Sequence, residues 1–291
     1  TATVFNPDYG NFQGICTGDF NADGKLDIAT AEDAGDKVAV HLGNGGGQFG
    51  PAISHMWTMS SGDLVTADFN SDGKLDIAGC GYTSSTNSVT LLINNGTGSC
   101  SINFFGTGMG NDPIALTAAD FNNDGKKDIA TANFSGNTIS IFLGTGTGSL
   151  SNATNYAAGG GPRSIKSADF NSDGKMDLVM VSGGSANVFF GNGNGTFQPY
   201  VFYPVGSNPY RVVTADFNGD GNTDIATLNN GSNNVSILSG SPTGTFTSLG
   251  TYSLGSSLGS FHVNDLNGDG KLDLVAGSYF NPGKLYFLLG H

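Results

Sequence analysis

Nine residues recur six times along the chain with their oxygen-bearing side chains at fixed spacing. One copy is Asp68-Phe69-Asn70-Ser71-Asp72-Gly73-Lys74-Leu75-Asp76, and the others begin at Asp19, Asp120, Asp169, Asp216 and Asp265. A calcium ion takes six to eight hard oxygen ligands at roughly 2.3–2.6 Å. Side-chain oxygens at positions 1, 3, 5 and 9, with the backbone carbonyl of position 7, supply such a set, and Gly at position 6 permits the sharp turn it needs. The expected ligands are Asp19, Asn21, Asp23, Lys25 and Asp27; Asp68, Asn70, Asp72, Lys74 and Asp76; and Asp120, Asn122, Asp124, Lys126 and Asp128. The later copies add Asp169, Asn171, Asp173, Lys175 and Asp177; Asp216, Asn218, Asp220, Asn222 and Asp224; and Asp265, Asn267, Asp269, Lys271 and Asp273. A lysine at position 7 enters through its carbonyl, its side chain expected in solvent. One such stretch alone reads as an ordinary polar turn; six with every ligand position intact point to up to six structural calcium ions.

The helix-loop-helix calcium motif closes with Glu at position 12 and runs on into a helix. Here position 12 is Thr30, Gly79, Thr131, Met180, Thr227 or Ala276, and short apolar runs such as Ile77-Ala78 follow position 9. The loop is therefore expected to join two strands. The loops hold eighteen of the 24 acidic residues, and six calcium ions would bring the formal net charge from -13 to about -1.

With 12% charged residues, 37% hydrophobic ones and 47 Gly, the composition is that of a turn-rich β protein. Eleven Lys plus Arg in 291 residues leave no basic patch, so nucleic acid is not an expected partner. No apolar run approaches the twenty or so residues of a membrane-spanning helix. The Thr1-Ala2-Thr3 start, without an initiator Met, suggests a processed, secreted protein. Cys16, Cys80 and Cys100 make no disulfide framework, although a Cys80–Cys100 pair is possible.

Loop starts are separated by 49, 52, 49, 47 and 49 residues, a period in the range of propeller blades. Each period carries a short apolar strand before the loop, a second strand after it, a polar turn, and a third strand in which apolar and polar residues alternate, as in residues 235–238. A Gly-x-Gly turn, such as Gly191-Asn192-Gly193, leads to a fourth strand. The last period lacks its fourth strand, and residues 1–10 can supply it. The expectation is an all-β, six-bladed β-propeller of four-stranded blades over residues 1–291, one domain, its last blade closed by the N-terminal strand.

The Asp-Phe-Asn-x-Asp-Gly loop, together with Gly-Asn-Gly-x-Gly-x-Phe as at Gly191 to Phe197, resembles the FG-GAP/VCBS repeat over essentially the whole chain. The resemblance takes in the integrin α-subunit propeller and calcium-containing mushroom lectins, best known with seven blades. It implies a calcium-binding, non-catalytic and multivalent carbohydrate-binding protein, with a glycan or glycoprotein as partner. An adhesion or protein-interaction module is the alternative, and a polysaccharide lyase the second.

In an up-and-down blade the loops and the Gly-x-Gly turns share one end, and the remaining turns share the other. Candidate ligand-binding residues at that other end are Trp57, Tyr82, Asn133, Phe134, Tyr210, Arg211, Asn229 and Tyr279. Aromatic faces beside amides and guanidinium groups suit a sugar ring and its hydroxyls. No nucleophile-base spacing stands out among the acids and histidines outside the loops.

Overall fold

A computed structural model describes residues 12–32, 37–56, 62–82, 87–108, 111–279 and 283–290. Every regular element among them is a β-strand, and consecutive strands pair antiparallel in meanders. The first sheet is β1 (Phe12–Gly18), β2 (Asp27–Glu32), β3 (Lys37–His41) and β4 (Ile53–Met56); the second is β5 (Leu64–Ala67), β6 (Asp76–Tyr82), β7 (Asn87–Asn94) and β8 (Cys100–Gly106). The third is β9 (Pro113–Ala119), β10 (Asp128–Asn133), β11 (Thr138–Phe142) and β12 (Thr154–Ala157); the fourth is β13 (Ser164–Ala168), β14 (Asp177–Ser182), β15 (Ser185–Phe189) and β16 (Val201–Pro204). The fifth is β17 (Pro209–Ala215), β18 (Asp224–Asn229), β19 (Asn234–Ser239) and β20 (Thr247–Ser253); the sixth, with three strands among the described residues, is β21 (Leu258–Asn264), β22 (Asp273–Ser278) and β23 (Leu285–Leu288).

These sheets are the six blades of a β-propeller fold, as the repeat predicts. The N-terminal strand expected to complete the last blade lies outside the described residues. The chain divides into two compact units, Thr1–Asp120 with Asp124–Tyr156 and Phe121–Asn123 with Ala157–His291.

Within each unit, blades pack face against face. Phe20, Ala29, Val38 and Val40 of the first blade bury themselves against Leu64, Ile77 and Leu92 of the second. Phe170, Val179, Val181 and Val188 of the fourth meet Val212, Ile225, Leu238 and Phe246 of the fifth. A fully buried Val, Leu, Ile or Phe contributes about 1.5–3 kcal/mol, so these seams dominate the stability. Covering both faces of a strand removes the need for alternation: β10, β14 and β18 are buried at all six positions. The half-buried pattern expected of the third strands is corrected for the same reason, since β3, β11 and β15 are each buried at their last four residues. The outer strands β12 and β16 face solvent along their length.

Candidate functional site

All six loops are closed by one register. The residue before position 1 pairs with position 9: Gly18 with Asp27, Ala67 with Asp76, Ala119 with Asp128, Ala168 with Asp177, Ala215 with Asp224 and Asn264 with Asp273. Inside the loop the side-chain oxygens turn onto backbone N–H groups. Asp72 N–H donates to Asp68 Oδ1 (3.2 Å) and Asn70 Oδ1 (3.0 Å), Gly73 N–H to Asp68 Oδ2 (2.8 Å), and Lys74 N–H to Asp72 Oδ1 (3.0 Å). The same bonds recur in the loops of Asp19 and Asp169.

Two positions reach this curl through the left-handed region. Position 6 does so as Gly73 (φ 83°), as expected, and position 4 does so in every loop, as Ala22, Ser71, Asn123, Ser172, Gly219 and Gly268. The requirement at position 4 was missed from the sequence, although its signal was there: the fifth and sixth loops place glycine at that position.

Position 9 is tied into the fold. Asp27, Asp76, Asp128, Asp177, Asp224 and Asp273 are all fully buried. Asp177 Oδ2 accepts from Phe170 N–H (2.9 Å) and its Oδ1 from Gly191 N–H (2.8 Å), so one carboxylate ties the start of the loop to the turn after the third strand. Asp27, Asp76, Asp224 and Asp273 make the equivalent pair of bonds. Burial pushes Asp76 and Asp177 up to about 6; the two N–H groups pull the other way, and the carboxylates at positions 1 and 5 push further up. By contrast, exposed Asp72 is held below the usual range, first by the Lys74 N–H.

The position 7 lysines are not the free solvated side chains expected. Lys25, Lys74, Lys126 and Lys175 fold back onto the position 5 carboxylate at 3.1, 3.4, 3.4 and 3.1 Å. Their stems lie across the left-handed glycine of the adjacent turn, where a Cβ on Gly193 would come within 2.9 Å of Lys175 Cδ. A free ammonium beside an exposed carboxylate gains by closing on it, and the alkyl stem gains by covering the turn.

Three loops also bond beyond their own sheet, each time between residues of one unit, Phe121 being counted with the second. The carbonyl of position 2 accepts from the neighbouring blade: Phe20 O from Asn94 Nδ2 (2.7 Å), Phe69 O from Gly148 N–H (3.1 Å) and Phe121 O from Gly195 N–H (2.9 Å). The position 2 ring follows, Phe121 meeting Phe197 and Phe170 meeting Phe246 edge-on at 5.5 and 5.7 Å.

Among the described residues no group of three or more Asp, Glu, His or Cys side chains is gathered as a metal cluster, since the loop oxygens bind backbone N–H groups instead. The donor set nonetheless fits a hard cation. It is made of oxygen alone, it holds Asp68 Oδ1 and Asn70 Oδ1 on one shared N–H, and its three carboxylates press on one another strongly enough to contribute to the raised position of Asp76.

The opposite ends of the blades are bound differently. There the turn between second and third strands pairs with the connection from the previous blade: Phe134 N–H donates to Asp112 O (2.9 Å), Asn230 N–H to Asn208 O (3.0 Å) and Tyr279 N–H to Ser257 O (3.0 Å). Two expected ligand residues are corrected. Asn133 and Asn229 are fully buried, and their amides are spent on the fold: Asn229 Oδ1 accepts from Thr227 Oγ1 (3.0 Å) while Nδ2 donates to Ser236 Oγ (2.9 Å) and Asn234 Oδ1 (2.8 Å). Asn133 makes the same set with Thr131, Ser140 and Thr138.

Phe134, Tyr210 and Arg211 are half-buried, and Tyr279 is exposed. Tyr82 ends β6, and Trp57 lies outside the described residues. None of the three cysteines is in a disulfide; Cys80 is buried in one core cluster and Cys100 packs against another, and burial pushes the Cys16 and Cys100 thiols up to about 12. No helix among the described residues is long and apolar enough to cross a membrane.

Solved structures share this architecture. An Agrocybe aegerita lectin that recognises non-reducing terminal N-acetylglucosamine superposes with a TM-score of 0.63 at 21% identity, over 95% of this chain and 80% of that one. A Pseudomonas aeruginosa periplasmic gluconolactonase does so with 0.63 at 14%, over 93% and 72%, and a functionally unknown protein from Desulfotomaculum acetoxidans with 0.68 at 12%, over 98% and 87%. At these identities the likeness is one of fold. No curated protein matches the chain by sequence. The FG-GAP-like repeat matches five overlapping stretches, residues 19–79, 68–131, 120–180, 169–227 and 216–276, and the chain belongs to that repeat family.

Proposed function

We propose that the chain is a secreted, calcium-binding and non-catalytic carbohydrate-binding protein with more than one sugar site. One observation carries this reading: the loop ends of the blades repeat the same backbone-bound geometry, whereas the other ends set differing aromatic, amide and guanidinium groups on the same framework. Calcium would be held by the oxygens of positions 1, 3 and 5 and the position 7 carbonyl, with the position 9 carboxylate behind them. Bound there, the ion supplies positive charge that relieves the repulsion among three carboxylates and cross-links the ends of two strands. Because it binds the folded state, it stabilises that state by mass action.

At the opposite ends, the half-buried Tyr210 ring and the exposed Tyr279 ring offer apolar faces. Asn208, Asn230 and Asn233 stand on the connections and turns at the same end of the fifth blade. A sugar presents the complementary pair, an apolar ring face and a fringe of hydroxyls. That a lectin shares the fold supports the reading. Each blade repeats the frame and changes the side chains, so several unequal sites are expected, with avidity arising on surfaces that display many copies of a sugar.

A glycan array, followed by agglutination of beads carrying the best ligand, tests the proposal. Binding to a defined set of glycans with agglutination is expected. An array blank for every glycan, with retention of protein ligands only, would contradict the proposal and favour an interaction module.

A further inference from the structure

Seven asparagines of the chain precede a glycine, and two of these, Asn218 and Asn267, stand at position 3 of the fifth and sixth loops. In the first four loops the next residue is Ala22, Ser71, Asn123 or Ser172. The Asn-Gly pair has a chemistry of its own. The backbone nitrogen after an asparagine can attack the side-chain amide carbon and close a cyclic imide, and glycine, without a Cβ, leaves that nitrogen unhindered. An amide is a poor electrophile and a peptide N–H a poor nucleophile, so the reaction needs help at both atoms.

Both forms of help are in place in these two loops. Gly219 N–H donates to Asp216 Oδ1 (2.7 Å) and Gly268 N–H to Asp265 Oδ1 (2.7 Å), so a carboxylate draws on the proton that the attacking nitrogen must lose. Asp220 N–H donates to Asn218 Oδ1 (2.9 Å) and Asp269 N–H to Asn267 Oδ1 (2.8 Å), on the oxygen where negative charge develops. Asn218, Gly219, Asn267 and Gly268 are all exposed, which admits water. Three other Asn-Gly pairs are held differently: Gly96 N–H donates to Asn94 Oδ1 (3.0 Å), Gly195 N–H to Phe121 O (2.9 Å) and Gly231 N–H to Ser207 O (3.0 Å), none of them a carboxylate oxygen.

We propose that Asn218 and Asn267 are sites of self-catalysed deamidation, each loop acting on its own backbone. The bond from Gly219 N to Asn218 Cγ forms as Cγ–Nδ2 breaks, and the amide nitrogen leaves as ammonia with the proton lost by Gly219 N. Water then opens the imide. Opening at Cγ leaves aspartate at position 3; opening at the backbone carbonyl carbon of residue 218 leaves a β-linked isoaspartate, with one more methylene in the main chain. Either product adds a carboxylate to a loop that already holds three. The isoaspartate also lengthens a loop whose ends are fixed by the pairing of Ala215 with Asp224. The fifth and sixth blades thus carry a chemical clock that the other four loops lack, and the proposal is independent of the carbohydrate reading.

The test is peptide mapping by mass spectrometry after incubation of the intact chain at neutral pH with a chelator, below its melting temperature, beside the same chain unfolded in denaturant. In the folded chain Asn218 and Asn267 should convert about tenfold or more faster than Asn95, Asn194 and Asn230, and in the unfolded chain at rates like theirs. Asp216→Asn should slow conversion at Asn218 by about tenfold and leave Asn267 unmoved as internal reference, and Asp265→Asn should do the converse. Gly219→Ser should stop conversion at Asn218 in a loop that still folds, since Ser71 and Ser172 hold the same left-handed position at φ 59° and 58°. Melting temperatures confirm that each variant is folded. Conversion of Asn218 and Asn267 no faster than that of the three turn asparagines, or rates that neither Asp→Asn variant changes, overturns the proposal.

Discussion

Asp177 and Asn229 are both fully buried polar side chains at strand ends, and they hold opposite ends of their blades by different means. Asp177 is satisfied by backbone, accepting from Phe170 N–H and Gly191 N–H. Asn229 is satisfied by other side chains, Thr227, Asn234 and Ser236. A carboxylate that serves backbone can serve any blade, and the same Asp stands at position 9 six times. A side-chain network has to be composed for its own blade. The corresponding residues at the other end are Glu32, Gly81, Asn133, Ser182, Asn229 and Ser278, and Glu32 is ion-paired with Lys37 at 3.5 Å. The residues six places before each loop vary as widely: Gln13, Gly62, Ile114, Arg163, Tyr210 and Gly259. Uniformity belongs to the loop end, and diversity to the opposite end.

The comparison breaks most visibly at position 9. Asp177→Ala leaves two buried N–H groups unpaired, and at about 1–3 kcal/mol each the loss should total roughly 3–5 kcal/mol in a denaturant melt. A loss under 1 kcal/mol would mean that the clamp contributes little. At the other end, Asn229→Ala should cost about 1–2 kcal/mol, because the hydroxyls of Thr227 and Ser236 can turn to other partners. Its calcium content should be unchanged, and a drop in bound calcium would show that the two ends are coupled.

The smallest effect is expected at Lys175, a partly exposed side chain paired with Asp173. Lys175→Gln should change stability by no more than about 0.5 kcal/mol. Removing a resident cation should nevertheless tighten calcium at that loop, so a calcium titration of the variant should show one site strengthened and the rest unmoved. Weaker binding there would mean that the lysine arranges the loop rather than competing for it.

The loop end was legible in the sequence because backbone partners leave no choice of side chain: the strand-loop-strand setting and the left-handed glycine at position 6 stand as read. Position 9 was read as a ligand alone, since the N–H groups it clamps belong to residues as distant as Gly191, fourteen positions on. Asn133 and Asn229 were read as surface amides because Asn beside a turn usually is one. The sign of their burial was present in both, a Thr two residues before and a Ser seven after, the partners each amide binds. The pairing of Arg163 with Tyr210 was not legible, because the two are 47 residues apart and meet only when neighbouring blades stack.

The central claim is that the six loops are calcium sites which hold the blade ends together. Elemental analysis of the purified chain after dialysis against calcium-free buffer tests it most directly. The account predicts close to six bound calcium ions per chain, released by a chelator together with a fall in melting temperature of about 10 °C or more. A chain that carries no calcium, and that melts at the same temperature with and without the chelator, would contradict it.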